Sequence, residues 1–346
     1  MSNCAWTFII AAAVALIVTP GVIRLAAATG AMDKPDKRKV HKVPIPRIGG
    51  LGIYIAFLSA VIVNVFLSDP SAEVQKEIIG LIVSGTLIVV LGLIDDYKNL
   101  PAKVKLLGQI LTACVLVFVF DVRIDFITDP FGDYLYLEWA AVPATIFWLV
   151  GLTNTVNLID GLDGLAAGIS AIASITILLV ALEGQFFLVA GLTAALAGAA
   201  IGFLFYNSNP AKIFMGDSGS MFFGFMLAGI SVIGSMKSTA TITLVVPIFA
   251  LGVPILDTTF AIVRRWLGGQ PIFKPDKGHL HHRLLKRGYS QRQAVFLMYV
   301  ISALLGLSAI ALTEVSSQTA MVILVAVAVS IFYGAKKLGV LHLVKS

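Results

Sequence analysis

Charge is what this sequence has least of. Only 13% of its 346 residues are Asp, Glu, Lys or Arg, against about 25% in an average soluble domain. A soluble chain of this length would divide into roughly two cores, each needing a charged surface, and there are too few charges to cover them. Cysteine is also scarce. Cys4 and Cys114 both sit in apolar runs, which excludes a disulfide framework and leaves the redox compartment open. No Walker loop occurs, and no Gly-x-Gly-x-x-Gly follows a candidate strand. Phosphate handling would therefore rest on a metal ion, Lys and Arg, or helix ends.

What is abundant is apolar: 58% of residues, with a mean hydropathy of +0.94. Disorder, a secreted disulfide scaffold and an ordinary cytosolic enzyme are excluded. A polytopic membrane protein remains, and its spans are helices because backbone groups in lipid must be satisfied within the segment. A crossing needs about 20 apolar residues. Such runs predict an all-α protein with about eleven transmembrane helices, near 6–28, 49–68, 77–94, 104–120, 137–152, 164–182, 185–205, 219–236, 240–263, 293–312 and 318–335. Residues 1–10 carry no Lys or Arg and the first run continues to Ala28, so it reads as a retained span rather than a removed leader.

The cations orient the chain. With the N-terminus outside and strict alternation, 22 of the 25 Lys and Arg residues fall inside, and only Lys76, Arg123 and Lys237 fall outside. Acids split nine inside and ten outside, as a rule concerned with Lys and Arg allows. The expectation is N-terminus out, C-terminus in, and one transmembrane domain over 1–346. The net charge of +6 then reflects topology and attraction to anionic lipid, and no nucleic-acid partner is expected.

Six of the nine inner acids close apolar spans: Asp95, Asp96, Asp160, Asp163, Asp217 and Asp257. One such acid at a water-facing helix end means little; six on one leaflet point to a common polar site. Asp95 and Asp96 are adjacent carboxylates that raise each other's pKa unless a cation relieves them. In NTVNLIDGLDG, Asn154, Asn157, Asp160 and Asp163 recur every third residue, sharing a face on a helical or 3₁₀ turn. Helix capping explains one of them, not four in register. YNSNPAKIFMGDSGS places Asn207, Lys212, Asp217 and Ser218 at an interface, with Phe214 beside the acid, where a ring stacks on a base or simply packs. GHLHHRLLKRG concentrates His279, His281, His282 and Arg283. Imidazole and guanidinium suit phosphate and sugar hydroxyls. A zinc site is the alternative, but no cysteine or local glutamate accompanies the histidines and the common ligand spacings are missing.

Taken in order, these segments resemble the polyprenyl-phosphate N-acetylhexosamine-1-phosphate transferases, over nearly the whole chain. The HLHHRLLKRG segment is similar to that of the bacterial undecaprenyl-phosphate GlcNAc-1-phosphate branch. The muramoyl-pentapeptide branch instead carries three consecutive histidines there. The resemblance implies transfer of a sugar-1-phosphate from a UDP-sugar to a lipid phosphate, with release of UMP and use of Mg²⁺, Mn²⁺ being a substitute. It implies Asp95 and Asp96 as the catalytic pair, and Asp217 with Asn157 at the metal. It places Lys42, Asn157, Asp160, Asp163, Asn207 and Phe214 at the nucleotide, and His279, His281, His282 and Arg283 at the sugar and phosphate. The acidic motif departs from the family pattern at Asn99, where a third acid is often found. The loops expected to form the site are 29–48, 95–103, 153–163, 206–218 and 264–292, on the cytoplasmic face of the cell membrane. Implied partners are a UDP-N-acetylhexosamine, undecaprenyl or another polyprenyl phosphate, the bilayer and a second copy of the chain. The alternatives are the same transfer with another UDP-HexNAc or UDP-MurNAc-pentapeptide, a secondary transporter, or a structural scaffold. Against transport, the acids cluster at one face rather than the midplane and no inverted repeat is evident.

Overall fold

The computed structural model describes residues 2–33, 43–128, 134–237, 245–269 and 278–315, with short stretches between 319 and 329. Among these residues, nine helices are long and apolar enough to cross a membrane. In chain order the helices are α1 (Ser2–Thr29), α2 (Gly49–Ser68), α3 (Ala72–Lys98), α4 (Ala102–Cys114, continued by a π turn at Val115–Val119), α5 (Ala141–Ile159), α6 (Leu165–Glu183), α7 (Phe187–Asn207) and α8 (Gly216–Lys237). They are followed by α9 (Val245–Ala250), α10 (Gly252–Leu267), α11 (Leu280–Lys286) and α12 (Gln291–Glu314).

Nine expected spans coincide with these helices. The span expected at 240–263 is broken: α9 ends at Ala250, Leu251 leaves helical geometry, and α10 begins at Gly252. Pro254 lacks the N–H that would bond the Ala250 carbonyl, so the helix cannot run through. Residues 238–244 lie outside the described residues, as does most of the stretch expected to span at 318–335. The fifth span extends to Ile159, which puts Asn154 and Asn157 on its last turns.

The core is built around α8. Its apolar stretch is buried throughout, as expected of a helix apolar on every side. α3 and α5 flank it, α2 crosses its start, α7 packs against α1 and α6, and α12 closes over α6. The outward surface is apolar as well: Ile17, Phe66, Phe118, Phe147, Phe205 and Phe296 are exposed. Lipid is the solvent that such a surface requires.

Local signals set the helix ends. Asn99 takes the left-handed conformation after α3, with φ 49°, a common way to stop a helix. Ser290 and Gln293 form a capping box at the start of α12. Two short antiparallel pairs accompany the helices. β1 (Met32–Asp33) pairs with β2 (Ile45–Pro46), and β3 (Phe126–Thr128) with β4 (Tyr134–Tyr136). Beyond β2 the chain binds the segment before α8: Phe214 N–H donates to the Pro46 carbonyl at 2.7 Å, Gly49 N–H to Phe214 at 3.0 Å, and Gly50 N–H to Met215 at 2.8 Å.

The approach of α3 to the start of α8 depends on Gly92. A Cβ there would drive into the backbone of Ser218, which cannot move without moving α8. Gly92→Ala is therefore expected to lower the melting temperature of the purified protein. Gly21→Ala, where a Cβ meets nothing, is expected to be neutral or stabilising by about 0.5–1 kcal/mol. Equal melting curves for the two variants would contradict this packing.

Candidate functional site

The helix ends gather at one end of the bundle: the C-termini of α3, α5 and α7, the N-termini of α2, α4 and α8, and the described segment that starts at Gly278. Adjacent residues on a helix point about 100° apart, so Asp95 and Asp96 face different partners. Asp96 is buried and turned to α8. Its Oδ1 accepts the Asp217 N–H at 2.8 Å, and its Oδ2 accepts the Ser218 N–H at 3.2 Å and the Ser218 hydroxyl at 2.7 Å. Arg47 approaches Oδ1 at 3.5 Å and also donates to Asn99 Oδ1 at 3.1 Å. A carboxylate from α3 thus caps the N-terminus of α8, where orphan N–H groups and the helix dipole favour negative charge. Gly216, at φ +70°, leaves room for it: a Cβ would lie 2.6 Å from an Asp96 oxygen.

Asp95 faces the other way. Its Oδ1 accepts the Leu100 N–H at 2.5 Å, and Lys105 Nζ sits 2.6 Å from its Oδ2. The same ammonium pairs with Asp217 Oδ2. Asn157 donates to Asp217 Oδ1 at 3.2 Å and to the Ser220 hydroxyl at 2.9 Å. Lys105 therefore stands as the cation between two acids from α3 and α8.

Asp160, the residue after α5, donates its backbone N–H to the Asn157 carbonyl at 3.4 Å, but its carboxylate has no hydrogen-bond or ion-pair partner among the described residues. Burial, then the negative charges of Asp217, Asp96 and Asp163, push its carboxyl up to about 8. Asp163 acts differently: its Oδ2 accepts Asn209 Nδ2 at 2.8 Å and the Ala211 N–H at 3.1 Å. Asn207 is buried and bonded to backbone, accepting from Gly164 N–H at 3.1 Å and donating to the Ile213 carbonyl at 2.9 Å. Asp163 and Asn207 hold the 206–214 loop against the turn that follows α5. Asn154 pairs its amide with Gln109, at 2.6 Å. Phe214 is half-buried beside Asp217, and Lys42 lies outside the described residues.

The histidines reach this turn from the far side. His279 and His281 are buried and their rings stack, with centroids 5.9 Å apart and planes at 7°. His282 lies 4.3 Å from His281, and Arg283 Nε donates to the Gly278 carbonyl at 2.8 Å. His281 Nε2 packs on Gly161, 2.6 Å from where a Cβ would stand. Burial and the neighbouring His282 lower His281 to about 4, with His279 adding to the shift and Asp257 opposing it. Its imidazole is neutral at physiological pH.

Among the described residues no three His, Cys, Asp or Glu side chains form a closed metal cage. A hard divalent cation does not need one: Mg²⁺ usually takes one or two carboxylates, with water and substrate phosphate oxygens completing its shell. Asp217, with Asn157 beside it, suits that role. Lys105 already marks a place where positive charge is required, and the unpaired Asp160 calls for more. Sequence reasoning missed Lys105 and Gln109. The available signal was their i, i+4 spacing on one face at the start of an apolar span.

The model of glycosyl transferase family 4 matches residues 78–235. The chain is 44% identical over 306 residues to a probable undecaprenyl-phosphate N-acetylglucosaminyl 1-phosphate transferase of Bacillus subtilis, covering 88% of this chain and 84% of that protein. It is 37% identical over 350 residues to the decaprenyl-phosphate N-acetylglucosaminephosphotransferase of Mycolicibacterium smegmatis, covering 93% and 85%. It is 31% identical over 329 residues to the phospho-N-acetylmuramoyl-pentapeptide-transferase of Heliobacterium modesticaldum, covering 88% and 97%.

Two outcomes are expected. An Asn at 96 keeps one acceptor and turns an NH₂ toward the α8 amides, so Asp96→Asn should lose roughly 1.5–3 kcal/mol, the worth of a charged hydrogen bond; an unchanged melting temperature would refute the capping role. Asp160 binds its proton more tightly folded than unfolded, so without divalent cations stability should fall as pH rises from about 4 to about 8. Asp160→Asn removes this dependence, matching the parent at pH 5 and melting higher at pH 9 in EDTA. Parallel curves would contradict the raised pKa.

Proposed function

The chain belongs to glycosyl transferase family 4, and from that premise we propose that it transfers GlcNAc-1-phosphate from UDP-GlcNAc to undecaprenyl phosphate. The products are undecaprenyl-diphosphate-GlcNAc and UMP, in a first membrane step of envelope polysaccharide synthesis. The observation that carries the reading is the convergence of Asp95, Lys105, Asp160 and Asp217 on the capped N-terminus of α8. The relatives named for N-acetylglucosamine phosphate transfer support the sugar. The His-Leu-His-His segment, without three consecutive histidines, supports the same branch over UDP-MurNAc-pentapeptide.

Two anions must meet, so their repulsion is the main obstacle and fixed positive charge the main remedy. The lipid phosphate has its second pKa near 6 and is largely ionised before any base acts. Asp95, held by Leu100 N–H and Lys105, positions this phosphate and accepts its residual proton. Asp96 keeps the first turn of α8, and with it Asp217, in place. Lys105 offers its ammonium to the phosphate oxygens. A divalent cation, Mg²⁺ on this reading, would be held by Asp217 with Asn157 and would neutralise the pyrophosphate. Asp160, Asp163, Asn207, Phe214 and Lys42 belong to the nucleotide side, with Asp163 and Asn207 shaping the loop. His279, His281, His282 and Arg283 face the sugar and its phosphate. Direct attack of the lipid phosphate on the β-phosphorus forms the new P–O bond and breaks the bond to UMP, which leaves with its electron pair. The bias of Lys and Arg toward the loops expected inside supports a site on the cytoplasmic face of the plasma membrane, and a homodimer completes the proposal.

Purified protein is expected to release UMP from UDP-GlcNAc only when undecaprenyl phosphate and a divalent cation are both present. Asp217→Asn should reduce kcat by roughly 10²–10³-fold, the scale for loss of one stabiliser of developing charge, while remaining folded. Near-parent turnover by Asp217→Asn at ordinary Mg²⁺ would overturn the metal assignment. Turnover of UDP-MurNAc-pentapeptide in place of UDP-GlcNAc would overturn the substrate.

A further inference from the structure

Of the six inner acids that close apolar spans, Asp257 is the one that the site above does not use. It lies on α10, after the break at Leu251, and its carboxylate is buried. Oδ2 meets His279 Nδ1 at 2.9 Å and Oδ1 accepts the Leu280 N–H at 2.8 Å. Both side chains are 6% exposed, so water does not compete for these bonds. A carboxylate only accepts, so the His279 nitrogen facing it carries a proton, which fixes the ring's orientation. One stripe further along α10, seven residues on, the Arg264 guanidinium packs against Gly278. α10 therefore grips the start of the histidine segment at two points on one face. From there the contact passes inward: His279 stacks on His281, and His281 seats on Gly161 beside Asp160.

We propose that Asp257 is a positioning residue for donor specificity: by fixing His279 and the N-terminus of α11, it sets where His281 and His282 meet the sugar of the nucleotide substrate. The inference rests on the functional reading above, in which the histidines face the sugar. Asp257 touches no reacting atom. Its loss lets the loop drift without altering the Asp95–Lys105–Asp217 centre, which is carried by α3, α4 and α8. A contact made equally in ground state and transition state appears in KM rather than kcat.

The test uses the full chain in detergent or nanodiscs, with Asp257→Asn, Asp257→Glu, His279→Asn and the Asp257→Asn/His279→Asn double variant. UMP release by the unmutated protein tests the functional reading alone; the contrasts among variants test Asp257. Asp257→Asn is expected to raise KM for UDP-GlcNAc about tenfold, the usual cost of losing an outer orienting partner, with kcat and KM for undecaprenyl phosphate within about twofold. Equilibrium binding of UDP-GlcNAc should weaken alike, while binding of UDP, which lacks the sugar, holds. His279→Asn should reproduce this pattern, the double variant should be no worse than either single one, and Asp257→Glu should recover part of the loss. Equal weakening of UDP and UDP-GlcNAc, multiplicative effects in the double variant, a fall in kcat at constant KM, or parent-like kinetics would each overturn the proposal. If Asp257→Asn does not fold, the same split in Asp257→Glu and His279→Asn decides it.

Discussion

The structure depends on a helix end that must be satisfied where water is scarce. α8 is the buried pillar of the bundle, and its first turn presents N–H groups with no intrahelical partner. In a membrane protein such groups cannot be left to lipid. Asp96, from the last turn of α3, meets the N–H groups of Asp217 and Ser218 and the Ser218 hydroxyl together. Gly92 and Gly216 supply the clearance. The bond that closes α8 also fixes the residue that follows its first position, and that residue is Asp217. On the proposed function, stability and chemistry share one contact.

Around that contact the charges are deliberately unbalanced. Asp95, Asp160 and Asp217 face the same space, and Lys105 compensates two of them. Asp160 is left with its proton, its pKa raised to about 8. Such a centre favours a divalent cation, and a substrate rich in phosphate oxygens completes what the side chains begin. The apolar exterior gives the lipid acceptor a path that a soluble enzyme lacks.

The sequence carried much of this in readable form, because a membrane imposes a length on its helices. The spans at 49–68 and 185–205 match α2 and α7 within a few residues. The acids at 95, 160 and 217 stood out because charge is so rare. Less readable was which acid does what. Asp95 and Asp96 look equivalent in GLIDDYKNL, yet the helical turn between them gives one to Lys105 and the other to α8. The regular Asn/Asp stripe also divides: Asn154 pairs with Gln109, Asn157 with Asp217, Asp163 with the Asn209 amide and the Ala211 N–H, and the Asp160 carboxylate with none of the described residues. Lys105 was hidden among cations that topology alone explains. The 240–263 run concealed a break because the sequence pattern registers apolar length more strongly than the missing N–H of Pro254.

The most direct measurement of the central claim is Mn²⁺ binding followed by electron paramagnetic resonance on purified protein, without turnover. The account predicts one Mn²⁺ site that is lost in Asp217→Asn and kept in Asp163→Asn, since Asp163 serves the loop. Undiminished Mn²⁺ binding by Asp217→Asn would show that the carboxylate at the head of α8 does not organise the site.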